Sequence, residues 1–221
     1  HHDSHYCSFV INTIEYRRHK GPLPHNRRSL FIIMKNFISI YDNQLTPDEC
    51  SAAIHHFETS RYTHQGKLGG QADSKIINTS IKDSTDLTLQ FSSKTSLTKM
   101  FERHLNKCAE KYKEENIEVA QNIFDWGIAD LFNIQRYKPG QAFKAIHCEH
   151  STKETKTVLA WMVYLNTMSD GGGTEFTNYE ITTDAIQGRL VIWPAYWTHC
   201  HRGILSNTET KYIATGWFSF L

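Results

Sequence analysis

The chain changes character after Gly127, where short apolar segments separated by glycine-bearing turns replace longer amphipathic ones. These segments have the length and the β-branched and aromatic content of strands. They are predicted as strands at 130–137, 144–149, 157–165, 174–178, 189–193 and 211–218. The second half of the chain is therefore predicted to be a β structure built from several short strands.

Two helices are predicted before these strands. Thr46 and Glu49 form a capping-box pattern with Pro47 at the first helical position, and an apolar stripe follows them. A longer helix is predicted over about 96–114, also with one apolar face. Helices first and strands afterwards predict an α+β fold in which both helices pack on the outside of one sheet.

The chain of 221 residues is 39% hydrophobic, enough for one main domain, which is predicted over 29–221. Residues 1–28 are predicted as a loosely ordered, mildly basic extension. A net charge of +1 gives no argument for a nucleic-acid partner, and no segment has the roughly 20 apolar residues of a membrane span. Five widely spaced cysteines without a Cys-x-x-Cys pair favour a reducing compartment, and a cytoplasmic location is expected.

A candidate metal site comes from three residues in the predicted strands. His147 and Glu149 are two apart, so on a strand they project to the same face. His201 follows the predicted strand 189–193 and supplies a second imidazole if that strand lies beside the first. Two imidazoles and one carboxylate on one face of an octahedral metal are typical of non-heme Fe(II) oxygenases. Strands that close into a jelly roll would bring these ligands together around a small interior.

Lys211 follows His201 by ten residues, a hairpin-like distance with turn-forming residues between them, and is predicted to return toward the metal on the last strand. A 2-oxo acid that chelates iron still carries a remote carboxylate, which a buried site must neutralise with a cation. Lysine can do this through charge-assisted hydrogen bonds. The pattern therefore indicates a cosubstrate site beside the metal.

These motifs resemble the 2-oxoglutarate and Fe(II)-dependent dioxygenases, and within them the prolyl 4-hydroxylase-like branch. The likeness runs from about Phe37 to Trp217. Its elements are the Tyr137-Lys-Pro-Gly turn leading to His147-Cys-Glu149, the Tyr-Leu-Asn and Gly-Gly-Gly-Thr-Glu-Phe segments, and His201-Arg-Gly with Lys211. The resemblance implies a double-stranded β-helix, or jelly roll, with N-terminal helices on the outside of one sheet.

Carried over by position, His147, Glu149 and His201 would bind iron, Lys211 would bind the distal carboxylate of 2-oxoglutarate, and Tyr137 would contact cosubstrate or substrate. The implied cofactors are Fe(II), 2-oxoglutarate and O2, with ascorbate as a candidate addition. The implied reaction is hydroxylation of an unactivated C–H bond, with a peptidyl proline as leading substrate, a free amino acid as the second candidate, and succinate and CO2 as co-products. Glu149 departs from the family, which usually has aspartate there.

Several alternatives stay open at this point. His199 is two residues from His201 and is the competing distal ligand. Cys148 and Cys200 beside the candidate ligands suggest a zinc site, but strand alternation is expected to point them away from the metal face. A zinc-dependent hydrolase and a catalytically silent β-helix that binds a peptide or metabolite are the alternative functions. The glycine-rich segment 66–80 is interpreted either as a mobile lid over the site or as an ordinary connection.

Overall fold

The computed structural model describes residues 35–68, 76–150 and 156–221. The predicted extension 1–28 and the first residues of the predicted domain lie outside these ranges, so the domain boundary stays a prediction. Three helices lie within these ranges, α1 (Pro47–Thr59), α2 (Ser96–Glu115) and α3 (Ile117–Gln121). Ten strands lie within the same described ranges, β1 (Ser39–Tyr41), β2 (His64–Gln65), β3 (Thr85–Gln90), β4 (Trp126–Tyr137), β5 (Thr157–Tyr164), β6 (Thr174–Phe176), β7 (Ile181–Thr183), β8 (Leu190–Pro194), β9 (His201–Gly203) and β10 (Lys211–Phe220).

Local sequence explains where the two long helices begin. The Thr46 side chain accepts a hydrogen bond from the Glu49 backbone N–H, and the Glu49 carboxylate accepts one from the Thr46 N–H, so the predicted capping box is present. Thr95 caps α2 in the same way through the Thr98 N–H. The second helix ends within one residue of its predicted end.

The strands form two antiparallel sheets. One has seven strands in the order β1-β8-β5-β10-β4-β3-β2, and the other has three in the order β7-β6-β9. Five of the six predicted strands are present with shifted ends. The prediction of a strand at 144–149 is wrong, because this segment makes one isolated bridge, between His147 and His201, and otherwise only hydrogen bonds to the Ile81 and Ala195 carbonyls rather than a continuous ladder. The architecture confirms the predicted α+β jelly roll, in which the described residues form few helices and no closed barrel.

Strands β5 and β8 of the seven-stranded sheet are buried on both faces, which explains why they are almost continuously apolar. On β5, Leu159, Trp161 and Val163 face α1 and α2, while Ala160 and Met162 face the space between the sheets. This confirms that the helices pack on the outside of one sheet. The alternation of β10 therefore aims its odd-numbered residues, from Lys211 to Trp217, into the interior.

Gly216 shows how tightly the helix-facing side of β10 is packed. A Cβ atom at this position would lie 2.6 Å from the Trp161 ring and 2.9 Å from the Phe132 Cβ. Both neighbours are fully buried aromatic residues of the helix-side core. Gly216 thus lets β10 lie against two large rings while its neighbours Thr215 and Trp217 line the interior.

Within the described ranges, no helix combines the length and apolar character needed to cross a membrane. The cytoplasmic location stays a prediction.

Candidate metal and cosubstrate site

A cavity of about 590 Å³ opens between the two sheets, and all five residues predicted for the site line it. The strands β4, β8 and β10 supply one wall, and the segment before β5 supplies another. Its volume lies within the usual range of small-molecule sites. The cavity is thus large enough to hold a dicarboxylate cosubstrate beside a substrate side chain.

His147, Glu149 and His201 present a compact set of ligand atoms, all within 4.8 Å of one another. Glu149 Oε1 lies 3.5 Å from His147 Nε2 and 3.4 Å from His201 Nε2. Ligand atoms on one face of an octahedral metal with bonds of about 2.1 Å are about 3 Å apart. Two imidazole nitrogens and one carboxylate oxygen in this arrangement fit a divalent metal ion after a small contraction.

The backbone positions these ligands without the predicted strand. His147 and His201 exchange both backbone hydrogen bonds, at 3.0 and 2.9 Å, and form an isolated antiparallel bridge. The Glu149 N–H then donates to the Ala195 carbonyl at 3.0 Å, which anchors the chain two residues beyond His147. The side chains of His147 and Glu149 therefore still reach the same site, although the segment is not a regular strand.

Backbone carbonyls also orient both imidazole rings. His147 Nδ1 lies 3.0 Å from the Ala145 carbonyl oxygen, and His201 Nδ1 lies 2.9 Å from the His199 carbonyl oxygen. A carbonyl can only accept, so each Nδ1 carries a proton and each Nε2 is the nitrogen that faces Glu149 and would bind a metal once it is deprotonated. This is how proteins commonly fix the tautomer of a metal-binding histidine.

The two carboxylate oxygens of Glu149 have different partners, two histidines for one oxygen and a tryptophan for the other. Its Oε2 accepts a hydrogen bond of 2.8 Å from Trp217 Nε1, which leaves Oε1 facing the two Nε2 atoms. Burial alone would raise the pKa of the Glu149 carboxyl, but the hydrogen bonds and charges of His147 and His201 outweigh burial and hold this pKa well below its usual range. The side chain is therefore an ionised carboxylate at neutral pH, the form that binds metals.

Lys211 begins β10 and lines the same cavity. Its Nζ lies 4.8 Å from the centre of the Tyr137 ring, and no ion pair to Lys211 is present among the described residues. Burial lowers the pKa of Lys211 to about 8. A buried cation without a counter-charge is unfavourable unless a ligand supplies one, so Lys211 is suited to receive a carboxylate.

The predicted route of the chain to Lys211 needs one correction. The spacing from His201 suggested a hairpin, but β9 lies in the three-stranded sheet and β10 in the seven-stranded one, where Lys211 pairs with Tyr137 of β4. Lys211 therefore approaches the site across the cavity rather than alongside His201. The Nζ still comes within 3.7 Å of the position that a Cβ on Gly203 would take.

Tyr137 starts a buried polar network that the sequence did not reveal. Its hydroxyl donates to Gln135 Oε1 at 2.8 Å, and Gln135 Nε2 donates to Asp86 Oδ2 at 3.2 Å. Asp86 also accepts from Lys82 Nζ at 2.6 Å and from Ser84 Oγ at 2.7 Å. Burial, and next the Asp86 charge, raise the pKa of Tyr137 well above its usual value, so it remains a neutral phenol.

The network joins two segments, 82–86 and 135–137, through a contact between residues 49 apart in the chain, and nothing in the sequence shows that these segments meet at a cavity. Trp217 also lines the cavity, from its position on β10. Trp193 is buried and lines the cavity, whereas Trp197 is 74% exposed. The sequence contained a signal for Trp217, because residues 211 and 217 are an even number of positions apart on one strand and therefore share a face.

The competing ligand His199 is not part of the cluster. Residues Trp197–His199 form a turn of 3₁₀-helix, which breaks the strand alternation that would have placed His199 beside His201. The ring nitrogens of His199 instead contact the Asn36 carbonyl at 2.7 Å and Thr198 Oγ1 at 2.9 Å. Neither Cys148 nor Cys200 joins a cluster of three metal-ligating side chains in the described part of the chain.

The segment 66–80, interpreted as a lid or a connection, lies partly outside the described residues, since 69–75 are not described. Its two ends meet where the Leu68 N–H donates to the Ile76 carbonyl at 2.9 Å. Leu68, the last described residue before 69–75, lines the cavity. Whether it acts as a lid stays a prediction.

Comparison with known proteins places residues 132–219 in a match to the 2OG-Fe(II) oxygenase superfamily. A search of curated proteins finds no significant match. Solved structures with a similar fold include a viral collagen prolyl hydroxylase from Paramecium bursaria Chlorella virus-1 in complex with 2OG, at 18% identity and a TM-score of 0.54, covering 84% of this chain and 96% of that one. A prolyl-4-hydroxylase from Pseudomonas putida shares 14% identity with a TM-score of 0.60, covering 84% and 94%.

A third similar structure is a prolyl hydroxylase from Trichoplax adhaerens in complex with a peptide fragment of the oxygen degradation domain of hypoxia inducible factor. It shares 15% identity with a TM-score of 0.66, covering 83% of this chain and 84% of that one. The family match confirms the predicted resemblance to the 2-oxoglutarate/Fe(II) dioxygenases and the prediction of an enzyme of this class. The structural matches confirm a prolyl hydroxylase-like fold. The family implies Fe(II), 2-oxoglutarate and O2 as cofactors, while ascorbate stays a prediction.

Proposed function

We propose that this 2OG-Fe(II) oxygenase hydroxylates an unactivated C–H bond of a peptide or protein, with a prolyl residue as leading substrate and succinate and CO2 as co-products. The observation that carries the proposal is one cavity in which three metal-ligating atoms lie within 4.8 Å of one another beside a buried lysine without a counter-charge. The first feature suits a divalent metal and the second suits a dicarboxylate. Together they match the needs of a cosubstrate that chelates iron.

In this proposal His147, Glu149 and His201 hold Fe(II). When bound, Fe(II) supplies the activation of O2 and couples it to decarboxylation of 2-oxoglutarate and oxidation of the substrate. The backbone carbonyls that accept from each Nδ1 keep the imidazoles turned toward the metal. The Trp217 indole holds Oε2, so Glu149 offers Oε1 alone. A ligand set of three leaves positions free for cosubstrate and O2.

Lys211 is proposed to bind the distal carboxylate of 2-oxoglutarate. Its ammonium would gain the counter-charge that the described residues do not provide, and bound carboxylate would raise its pKa again. The Tyr137 hydroxyl already donates to Gln135, so Tyr137 contributes its ring face beneath Nζ and lines the cosubstrate pocket.

Two observations support a peptide substrate, namely exposed apolar side chains that line the cavity and one similar structure with a bound peptide. The mouth of the cavity carries apolar side chains with substantial exposure, Leu131 at 47% and Ile146 at 56%. Such residues suit a peptide better than a small charged amino acid, which would need a second set of buried counter-charges. The Trichoplax adhaerens structure has a peptide bound to that protein, which supports the same class of substrate for this fold.

The two alternative functions are tested by the same site. Two histidines and a glutamate also form the ligand set of zinc hydrolases. A hydrolase has no use for a buried lysine facing the cavity, so Lys211 argues against it. A silent binding module would need neither the ordered imidazole tautomers nor the ionised Glu149 carboxylate.

The proposal is tested by measuring succinate and hydroxylated product together. The full chain is incubated with Fe(II), 2-oxoglutarate and O2, with and without a library of proline-containing peptides, and peptides are examined for addition of one oxygen. We expect succinate formation to rise with an accepted peptide, one succinate per hydroxylation, and His147→Ala to abolish both. Succinate that rises only with free amino acids would overturn the peptide substrate, and hydrolysis supported by Zn²⁺ without succinate would overturn the oxygenase.

A further inference from the structure

Two partly exposed cysteines lie beside the candidate metal ligands. Cys148 sits between two of these ligands in sequence, and Cys200 immediately precedes the third. The other cysteines in the described ranges, Cys50 and Cys108, are buried at 0% and 1% exposure in the core beneath the helices. Burial raises the pKa of both of these thiols to about 11, so they are protected from oxidants.

The backbone places Cys148 opposite Cys200. His147 and His201 exchange both hydrogen bonds, so they form the hydrogen-bonded type of antiparallel pair, and the adjoining pair is Cys148 with Cys200. At such an adjoining pair the Cα atoms are about 4.5 Å apart and the side chains share one face. A disulfide spans Cα separations of about 4.4–6.8 Å, so this pair falls inside the range without backbone movement.

The two thiols also affect each other directly. The Cys200 thiol is a hydrogen-bond neighbour of the Cys148 thiol. Cys148 Sγ lies 3.8 Å from the His150 carbonyl oxygen, and Cys200 Sγ lies 3.1 Å from the Trp197 carbonyl oxygen. These are weak thiol contacts that a disulfide can give up at small cost.

We propose that Cys148 and Cys200 form an oxidation site at which a peroxide generates a reversible cross-strand disulfide. One thiol attacks the O–O bond of hydrogen peroxide, giving a sulfenic acid and one water. The second thiol then attacks that sulfur, the S–S bond forms, and a second water leaves. Two thiols are oxidised, one peroxide is reduced, and a thiol reductant reverses the reaction.

The bond would join the two chain segments that carry all three candidate ligands. It closes a loop of about 50 residues, and loops of this size restrict the unfolded chain considerably. Because the geometry requires no displacement of the His147–His201 bridge, the ligand atoms keep their positions. The disulfide is therefore expected to stabilise the metal-free site rather than to dismantle it.

The site is tested by peptide mapping of the full chain. The protein is incubated with hydrogen peroxide in the presence of a chelator, quenched in acid, alkylated in denaturant and digested with trypsin without reduction. Cleavage after Lys144, Lys153, Arg189 and Arg202 isolates the two cysteines in peptides 145–153 and 190–202. We expect the two peptides to be recovered as one cross-linked species whose mass is two hydrogens less than the sum of the peptide masses. Dithiothreitol should separate them again.

Cys148→Ser and Cys200→Ser should each abolish the joined peptide, while peptides containing Cys50 and Cys108 should remain alkylated. Oxidation of the wild-type chain should raise its Tm by about 5–10 °C, reversed by dithiothreitol. Recovery of Cys148 and Cys200 as separate peptides, alkylated or carrying sulfinic acid, would overturn the proposal, as would linkage to another cysteine or another chain. The mapping requires neither iron nor 2-oxoglutarate, so a negative result would not contradict the proposed oxygenase reaction. Likewise, failure of the oxygenase assay would not contradict the disulfide.

Discussion

Replacing Lys211 by methionine removes a buried charge and keeps most of the side-chain volume. The lysine is 5% exposed, and the described residues supply no counter-charge for its Nζ. In the variant, the distal carboxylate of 2-oxoglutarate would be buried without a cation. Breaking one side of a buried pair costs about 3–5 kcal/mol, which weakens binding by roughly two to three and a half orders of magnitude. Fe(II) binding should be nearly unchanged, because Lys211 is not among the candidate ligands.

The same lysine predicts how cosubstrate binding depends on pH. Its pKa in the free protein is about 8, so the ammonium is present below this pH, and above it the amine must take up a proton before it can bind a carboxylate. The apparent Kd for 2-oxoglutarate should therefore be flat below pH 7 and rise about tenfold between pH 7 and pH 9. Lys211→Arg should flatten this profile, because a guanidinium stays protonated throughout.

Anaerobic titration of the Fe(II)-loaded protein with 2-oxoglutarate measures both effects, through the visible charge-transfer band of a chelated 2-oxo acid or by calorimetry. Lys67→Met is a matched control, because Lys67 also lines the cavity but is exposed, and it should change the affinity by less than about twofold. An unchanged Kd in Lys211→Met, or a pH profile in wild type that does not bend near pH 8, would refute the cosubstrate site.

Three further predictions concern the metal ligands. His201→Ala should abolish the charge-transfer band and His199→Ala should retain it; the opposite result would reverse the assignment of the distal ligand. Glu149→Asp shortens the side chain by one C–C bond of about 1.5 Å, so it should lower the affinity for Fe(II) although aspartate is the commoner residue in the family. Glu149→Gln removes the charge and should lower the affinity further. A wild-type Kd for Fe(II) in Glu149→Gln would exclude Glu149 as a ligand. Trp217→Phe removes the donor to Glu149 Oε2 and should weaken Fe(II) binding by about tenfold or more, whereas Trp193→Phe should not, since Trp193 Nε1 has no partner in the described structure.

The sequence was sufficient for features that depend on local chemistry. The capping box at Thr46 and Glu49 depends on side chains three residues apart, and it is present. The alternation of β10 placed Lys211 and Trp217 on one face, because strand geometry fixes that face once the strand exists. The residue types of the candidate metal site, and their match to a family pattern, were also visible in the sequence alone.

Interactions between distant segments could not be read in this way. The segment 144–149 has the composition of a strand but bridges to His201 at one point and to the Ala195 carbonyl at another. The turn Trp197–His199 separates His199 from the site although its spacing to His201 suggested a shared face. Both outcomes depend on which backbone groups the rest of the fold leaves available as partners.

The sequence by itself determined the helix starts, most of the strands, and the set of histidine, carboxylate and lysine side chains that the cavity contains. Only the tertiary structure decided that Lys211 reaches the cavity from the opposite sheet, that Trp217 holds one oxygen of Glu149, and that Cys148 faces Cys200. The physical reason is the difference in sequence separation over which these interactions act. Propensities and capping act within a few residues, whereas the pairing of two sheets and the contacts across their cavity join residues far apart in the chain, whose separation no local pattern encodes.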